Sequence, residues 1–363
     1  MKKYNIYHRK DGRWEGRILK NKCSNGKRSY YYVFARSKSE VIKKLDNLTH
    51  EQKHSTCCKT FAVVFNEWSD NIRYKIKEST LSNYMMKADK HIFPYFGIKR
   101  IDIITTEDVL SFMQLKLSQG LSVRYVNDII ILIKTVYKYA VKEYNVNNPV
   151  AEISLRKNKK TEINLLDESE QIKLQEFISV NHNLSTLGTA LSMSTGIRIG
   201  ELCALQWKDI DFDKRILTVK KTMQRIQCNN NTSRTKLIIS DPKSESSKRR
   251  IPIPDCMMSF LNEFRKNDND FIVSAAEKPI EPRTMQYRFS KILKNANLPS
   301  VHFHALRHIF ASSCVKLGFD IKSLSELLGH SSVEITLNRY VHSSFDQKRE
   351  YMNRIDFPLL AKV

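Results

Sequence analysis

Long apolar runs are missing from this chain. The longest without any polar atom in a side chain, such as Phe61 to Phe65 and Ile129 to Ile133, are five residues each, far short of the ~18 or more that a membrane span needs. The N-terminus also lacks a secretory layout: Met1-Lys2-Lys3-Tyr4 runs directly into alternating polar and apolar residues, so export is not expected. Paired cysteines are absent. The seven present (Cys23, Cys57, Cys58, Cys203, Cys228, Cys256 and Cys314) are odd in number and scattered, with none at Cys-x-x-Cys spacing. They exclude a disulfide scaffold and read as reduced thiols of a cytoplasmic protein. Cys57 and Cys58 lie near His54, but adjacent cysteines seldom hold one ion, so no zinc site is expected. A Gly-x-x-x-x-Gly-Lys-Ser/Thr loop and a paired-metal acidic cluster are both absent, which argues against ATP-driven or two-metal chemistry.

Acid is the scarce charge. There are 38 Asp and Glu against 61 Lys and Arg, a net of +23 over 363 residues. Such an excess points to a polyanion, most often nucleic acid. The imbalance is concentrated early: residues 1–58 hold 15 basic and 5 acidic residues and residues 59–160 hold 17 and 10, whereas the remaining 203 hold 29 and 23. With 41% hydrophobic and 10% aromatic residues the chain can bury real cores, which excludes a disordered protein. Its length suits two or three domains at roughly 100–200 residues each.

Three segments follow from periodicity. Residues 4–8, 13–19 and 29–34 alternate as strands do, with Asp11-Gly12 and Asn25-Gly26 as turns. Ser37 and Glu40 then form a capping box before Val41, Ile42, Leu45 and Leu48 at helical spacing. The expectation is a three-stranded sheet with one helix on it, its other face rich in Arg, Lys and Tyr and suited to a DNA groove. Residues 50–59 read as a linker. From Phe61 to about Val146 four helices are expected: Phe61, Val64, Phe65 and Trp68 mark the first, and Leu81, Tyr84, Met85 and His91 the second. Thr105 caps the third, with Val109, Phe112 and Met113, and Val123 to Val141 form the fourth. A basic connection with Arg156, Lys157, Lys159 and Lys160 follows, able to lie along a phosphate backbone. The last segment opens near Leu165 with Asp167 and Glu170 as a capping box, contains a strand-rich island at 215–254, and returns to helix from His304. The domains are placed at 1–55, 59–155 and 165–363.

Cleaving a DNA strand without metal requires a nucleophile, cations to neutralise the pentacoordinate phosphate, and an acid for the leaving oxygen. The third segment offers all three. Arg198 lies in Thr195-Gly196-Ile197-Arg198-Ile199-Gly200-Glu201, a guanidinium fork at a helix start. In His304-Ala305-Leu306-Arg307-His308, the i, i+3 spacing sets His304 and Arg307 on one helix face. In Leu328-Gly329-His330 a glycine ends a helix and a histidine follows, and Tyr340 stands ten residues on. Each motif alone is compatible with a structural cap or ion pair; their order is what carries weight.

That order, Thr-Gly-x-Arg-x-Gly-Glu, a hairpin lysine, His-x-Leu-Arg, Leu-Gly-His and Tyr, resembles the tyrosine recombinases, the family typified by lambda phage integrase, and most of all the integrases of conjugative transposons and temperate phages. The resemblance implies a multidomain chain: a small three-stranded arm-binding sheet plus helix, an all-α four-helix core-binding domain, and a mixed, mainly-α catalytic domain with a small antiparallel sheet. It implies that Arg198 and Arg307 clamp the scissile phosphate, that Lys243 in Asp241-Pro242-Lys243-Ser244-Glu245 protonates the departing 5′ oxygen, and that His304 acts as base. His330 is then a further donor, Tyr340 the nucleophile forming a 3′-phosphotyrosine, and Glu201 a support for the pocket. Lys248 and Arg249 follow Lys243 closely and leave open which cation of that stretch reaches the phosphate. His302, His308 and His342 read as structural.

The implied activity is site-specific integration and excision of a mobile element without cofactor or metal, since a phosphotyrosine ester keeps the energy needed for resealing. The implied partners are double-stranded DNA at arm-type and core-type sites, three further copies in a homotetramer on synapsed DNA, and an excisionase or DNA-bending protein, with no membrane. The implied place is the bacterial cytoplasm, at the nucleoid. Two alternatives remain: a type IB topoisomerase, against which the N-terminal sheet argues, and a non-catalytic DNA-binding regulator, which predicts a broken constellation. The apolar residues from Phe345 to Leu360 suit docking on a neighbouring subunit or on their own domain. Target sequences, the host element and the direction of recombination are not encoded in any motif.

Overall fold

The computed structural model of the chain describes residues 4–22, 28–52, 57–155, 164–230, 233–242, 245–340, 349 and 352–353. Two compact units divide the chain, Met1–Lys160 and Thr161–Val363.

The first unit contains two separate cores. Strands β1 (Asn5–His8), β2 (Trp14–Lys22) and β3 (Arg28–Ala35) form an antiparallel sheet in that order. Alternation sorts their side chains, because successive strand residues point to opposite faces. Ile6, Trp14, Ile18, Val33 and Ala35 pack with Val41 and Leu45 of helix α1 (Lys38–Gln52), while Tyr7, Tyr32 and Phe34 stay exposed. Arg17 lies over the rings of Tyr7 and Tyr30, and Arg9 over Phe34. The Ser37 hydroxyl accepts from the Glu40 amide at 3.3 Å, one half of the expected capping box; the Asn25-Gly26 turn lies outside the described residues.

The linker expected at 50–59 is shorter than its sequence suggests. Helix α1 runs through Gln52, since Glu51 and Gln52 are good helix formers and no glycine or proline intervenes. Cys57 is buried in the next core. That core is helical: α2 (Phe61–Ile72), α3 (Glu78–Lys87), α4 (Phe93–Phe96), α5 (Thr106–Ser118) and α6 (Val123–Tyr144). The second expected helix is interrupted by a π turn at Ala88–Ile92 before α4. Pro94 accounts for the break: it lacks an N–H for the i−4 carbonyl and its ring crowds that carbonyl. Thr105 caps α5 as expected, and Asp108 returns the bond to complete a capping box. Phe61, Phe65, Phe112, Ile129, Ile130, Ile133 and Tyr137 fill the centre, and Val146, Val150 and Ile153 close it beyond α6.

The second unit is mainly α, with little sheet. Helices α7 (Glu168–Val180), α8 (Leu184–Thr195) and α9 (Ile199–Cys203) come first. Strands β4 (Ile210–Asp211), β5 (Ile216–Val219), β6 (Thr222–Asn230), β7 (Ser233–Ser240) and β8 (Arg249–Pro252) follow. Helices α10 (Asp255–Phe264), α11 (Pro282–Asn295), α12 (His304–Lys316), α13 (Ile321–Leu328) and α14 (Val333–Tyr340) complete it. Strands β4, β5 and β8 make one antiparallel sheet, and β6 and β7 a separate hairpin. Helix thus returns before His304, in α10 and α11, whose buried Met257 and Leu261, and Met285, Phe289, Ile292 and Leu293, recur at helical spacing. Helix α8 is central, with Leu187 and Leu191 buried and contacts to α9, α10, α11 and α12. The Asp167–Glu170 capping box opens α7 as expected. Among the described residues no helix is long and apolar enough to cross a membrane.

Gly16 sits where the sheet meets α1; an added Cβ would lie 2.5 Å from Leu45 and 2.6 Å from Val41. Gly16→Val is expected to wedge the helix off the sheet at a cost of about 1–3 kcal/mol. Hydrogen exchange should show faster opening of residues 5–45 with the amides of α6 and α8 unchanged; equal protection in both proteins would refute it.

Candidate active site

The site begins at the end of α8. Gly196 caps that helix at φ +65°, a left-handed turn that glycine adopts without strain. A Cβ there would also lie 2.4 Å from the Phe310 ring. The reversal sets Arg198 at the N-cap of α9. Its amide donates to Oε2 of Glu201 at 3.0 Å and its Nη1 to Oε1 at 2.8 Å. The side chain keeps 35% of its surface exposed, whereas that of Glu201 keeps 3%.

Glu201 is shared. Arg249, the first residue of β8, donates Nη2 to Oε2 at 2.8 Å and Nη1 to Oε1 at 3.2 Å. Burial opposes charge on this carboxyl, but hydrogen bonding and charge from Arg249, with the charge of Arg198, hold it below its ordinary value. Strand register explains the placement of Arg249: it pairs opposite Val219 and shares the inward face of β8 with Ile251.

The C-terminus of α13 completes the frame. Gly329, at φ +63°, closes the helix with its amide on Glu326 and the His330 amide on Ser325, a Schellman arrangement. The next three carbonyls each take one arginine. Leu327 accepts from Arg249 Nε at 2.6 Å, Leu328 from Arg307 Nη2 at 2.6 Å, and Gly329 from Arg198 Nη2 at 3.2 Å. Arg307, 2% exposed, also donates Nη1 to the Gly196 carbonyl at 2.7 Å. The negative end of a helix and its orphan carbonyls are natural cation sites.

Of the sequence-predicted residues, Arg198, Arg307 and His330 converge on this frame. His304 begins α12, one turn before Arg307, exposed and edge-on to the buried ring of His308 at 4.9 Å. His330 places Nδ1 2.8 Å from the hydroxyl of Thr336. Tyr340 is the last residue of α14, which packs on α12 and α13. Lys243 lies outside the described residues; it follows the β6–β7 hairpin, and Lys248 of the same connection pairs with Asp241 at 3.4 Å. The Arg249 guanidinium is committed to Glu201 and to the Leu327 and Ser247 carbonyls. Its role was half legible, as a basic residue in phase with Ile251 and Ile253. Thr336 gave no sequence signal. Burial pushes the nearby Cys203 thiol up to about 12 and Cys314 to about 11, so neither is a thiolate nucleophile at neutral pH.

The candidate site thus gathers three arginines at the end of α13, with His330 in the loop beyond it and Tyr340 at the end of α14. Residues 166–347 match the phage integrase family, and residues 60–116 match the phage integrase N-terminal SAM-like domain. A tyrosine recombinase XerC-like protein of Caldanaerobacter subterraneus subsp. tengcongensis is 30% identical over 297 residues, covering 75% of this chain and 74% of its own. The transposase of transposon Tn916 from Enterococcus faecalis is 23% identical, covering 78% of this chain and 74% of its own. A Tn1549 transposon integrase structure, solved with circular-intermediate DNA, superposes with TM-score 0.66 at 22% identity, over 82% of this chain and 99% of that one. A lambda integrase dimer bound to a core site gives 0.60 at 20%, over 93% and 94%; these two likenesses establish the fold. The chain belongs to the phage integrase family of tyrosine recombinases, and its function is site-specific DNA recombination. Neither a topoisomerase nor a non-catalytic regulator is favoured by these relatives.

Removing one member of the Glu201–Arg249 pair leaves a buried charge without its main partner. Arg249→Met is expected to cost about 3–5 kcal/mol, with Glu201→Leu/Arg249→Met recovering most of it. Because the folded carboxyl titrates below its ordinary value, the stability it contributes is present above that value and lost as pH falls through the folded one. Denaturant melts between pH 3 and 7 (roughly the carboxyl range) should therefore slope less in the double variant; a double variant no more stable than the single one would contradict this pairing.

Proposed function

We propose that Arg198 and Arg307 hold the non-bridging oxygens of the scissile phosphate, with His330 as a further donor. Tyr340 attacks the phosphorus: its oxygen forms the new P–O bond, its proton passes to His304, and the bond to the 5′ oxygen breaks. Lys243 delivers the proton that leaving oxygen needs. The product is a 3′-phosphotyrosine ester, which a 5′ hydroxyl attacks in reverse to reseal the strand, so neither ATP nor metal is consumed. The observation that supports this most directly is the convergence of Arg198, Arg307 and the His330 loop on successive backbone positions at the end of α13. Among the described residues Arg198 spends only two side-chain N–H groups on protein partners, of the five a guanidinium carries.

The domain assignment, 1–55 for arm sites, 59–155 for the core site and 165–363 for catalysis, is supported by the separate hydrophobic cores of the sheet, the helical bundle and the last segment. The open face of the sheet, with Arg9, Arg17, Tyr7, Tyr32 and Phe34, suits DNA contact. The assembly on DNA is a homotetramer that exchanges strands in pairs; the lambda integrase tetramer bound to a Holliday junction is a precedent for four copies on branched DNA. The element served is a phage or conjugative transposon, with excision assisted by an excisionase or a DNA-bending protein in the bacterial cytoplasm at the nucleoid.

Incubating wild type and Tyr340→Phe with a nicked duplex carrying the element's crossover site should give a covalent protein–DNA band on a denaturing gel only for wild type. Arg198→Ala and Arg307→Ala should bind the duplex yet form that band about 10²–10³-fold more slowly. A covalent band from Tyr340→Phe would assign the nucleophile elsewhere.

A further inference from the structure

Thr336 is polar, fully buried, and lies in the middle of α14. A buried hydroxyl needs a partner, because leaving one unmade costs about 1–3 kcal/mol. The partner of Thr336 is the His330 ring: Oγ1 stands 2.8 Å from Nδ1. The histidine itself is held at its backbone, by its amide on Ser325 and by Gly329 in the left-handed turn. Two anchors thus act on one residue, a backbone anchor from α13 and a side-chain anchor from α14. Tyr340 follows Thr336 by four residues on the same helix, which places the two positions on one helix face.

We infer that Thr336 is a positioning residue that fixes the tautomer and ring plane of His330 and ties that ring to the helix bearing the nucleophile. The hydroxyl donates its hydrogen to Nδ1, so the ring carries its own proton on Nε2. That tautomer is a donor at the nitrogen away from Thr336, the form an anionic oxygen requires. A shift of α14 that moves Tyr340 also moves the hydroxyl that orients His330, so the donor and the nucleophile come into register together. The inference rests on the proposed role of His330 as a phosphate donor.

Thr336→Val keeps the branched shape and removes the hydroxyl; Thr336→Ala removes it without the second methyl. In full-length protein on the nicked duplex, either variant is expected to slow covalent-complex formation about 10-fold with DNA binding unchanged, and Thr336→Ser to restore the rate to within about 2-fold. In a His330→Ala background, Thr336→Val should add no further loss. Side-chain ¹⁵N spectra of the histidines, with the His330 signal identified from the His330→Ala protein, should show the Nε2–H form in wild type and a mixture of tautomers in Thr336→Val. Wild-type cleavage by Thr336→Val and Thr336→Ala, with His330→Ala slow, overturns the inference, as does an equal loss in both backgrounds. If His330→Ala cleaves at the wild-type rate, it is the phosphate role of His330 that fails. The spectra then decide the inference by themselves: an unchanged tautomer in Thr336→Val overturns it, and a changed one upholds it.

Discussion

Three successive carbonyls at the end of α13 hold three arginines, and most of the catalytic unit's geometry depends on that contact. Arg249 arrives from a strand, Arg307 from a helix and Arg198 from a helix cap. They are far apart in sequence and share no local reason to meet. A helix C-terminus offers several unpaired carbonyls pointing one way, and a guanidinium is a flat fork of donors. Glu201 supplies the counter-charge that makes two of these arginines tolerable near a core. The glycines at 196 and 329 then become necessary rather than incidental. Both turn the chain through left-handed backbone, and an added Cβ at either one would press within about 3 Å of a neighbour, Phe310 in one case and Arg249 in the other.

The order of motifs along the chain was legible because each depends on a local rule: a glycine after a helix, an arginine beside it, a histidine and arginine at i, i+3. The capping box at Asp167, the N-cap at Thr105 and the alternation of the first three strands were legible for the same reason. What the sequence hid were pairings across distance. Nothing local says that Arg249 meets Glu201, because that depends on β8 pairing with β5 in a register that sets Arg249 opposite Val219. Thr336 was hidden too, since a threonine in mid-helix usually reads as filler. The linker at 50–59 shows the reverse error. Polar residues after Leu48 resemble a connection, yet helix propensity carries α1 through them to Gln52. The amphipathic spacing of α10 and α11 was present in the residues, but the strand-rich island before them masked it.

Charge and chemistry are divided between the two ends of the chain in a way that follows from electrostatics. The first 160 residues carry 32 basic and 15 acidic groups, and the rest carries 29 and 23. Affinity for a duplex grows with the number of phosphates neutralised, and that term is indifferent to sequence. Placing it mainly outside the catalytic unit leaves the arginines there to be spent on geometry. Arg249 and Arg307 are nearly or fully buried, and a buried cation attracts DNA weakly from a distance. These two brace the end of α13 instead, Arg249 through Glu201 and the Leu327 carbonyl and Arg307 through the Gly196 and Leu328 carbonyls. On the proposed function, exposed cations hold the DNA while Arg198 and Arg307 shape the reacting phosphate, so loss of Arg307 should alter rate far more than grip.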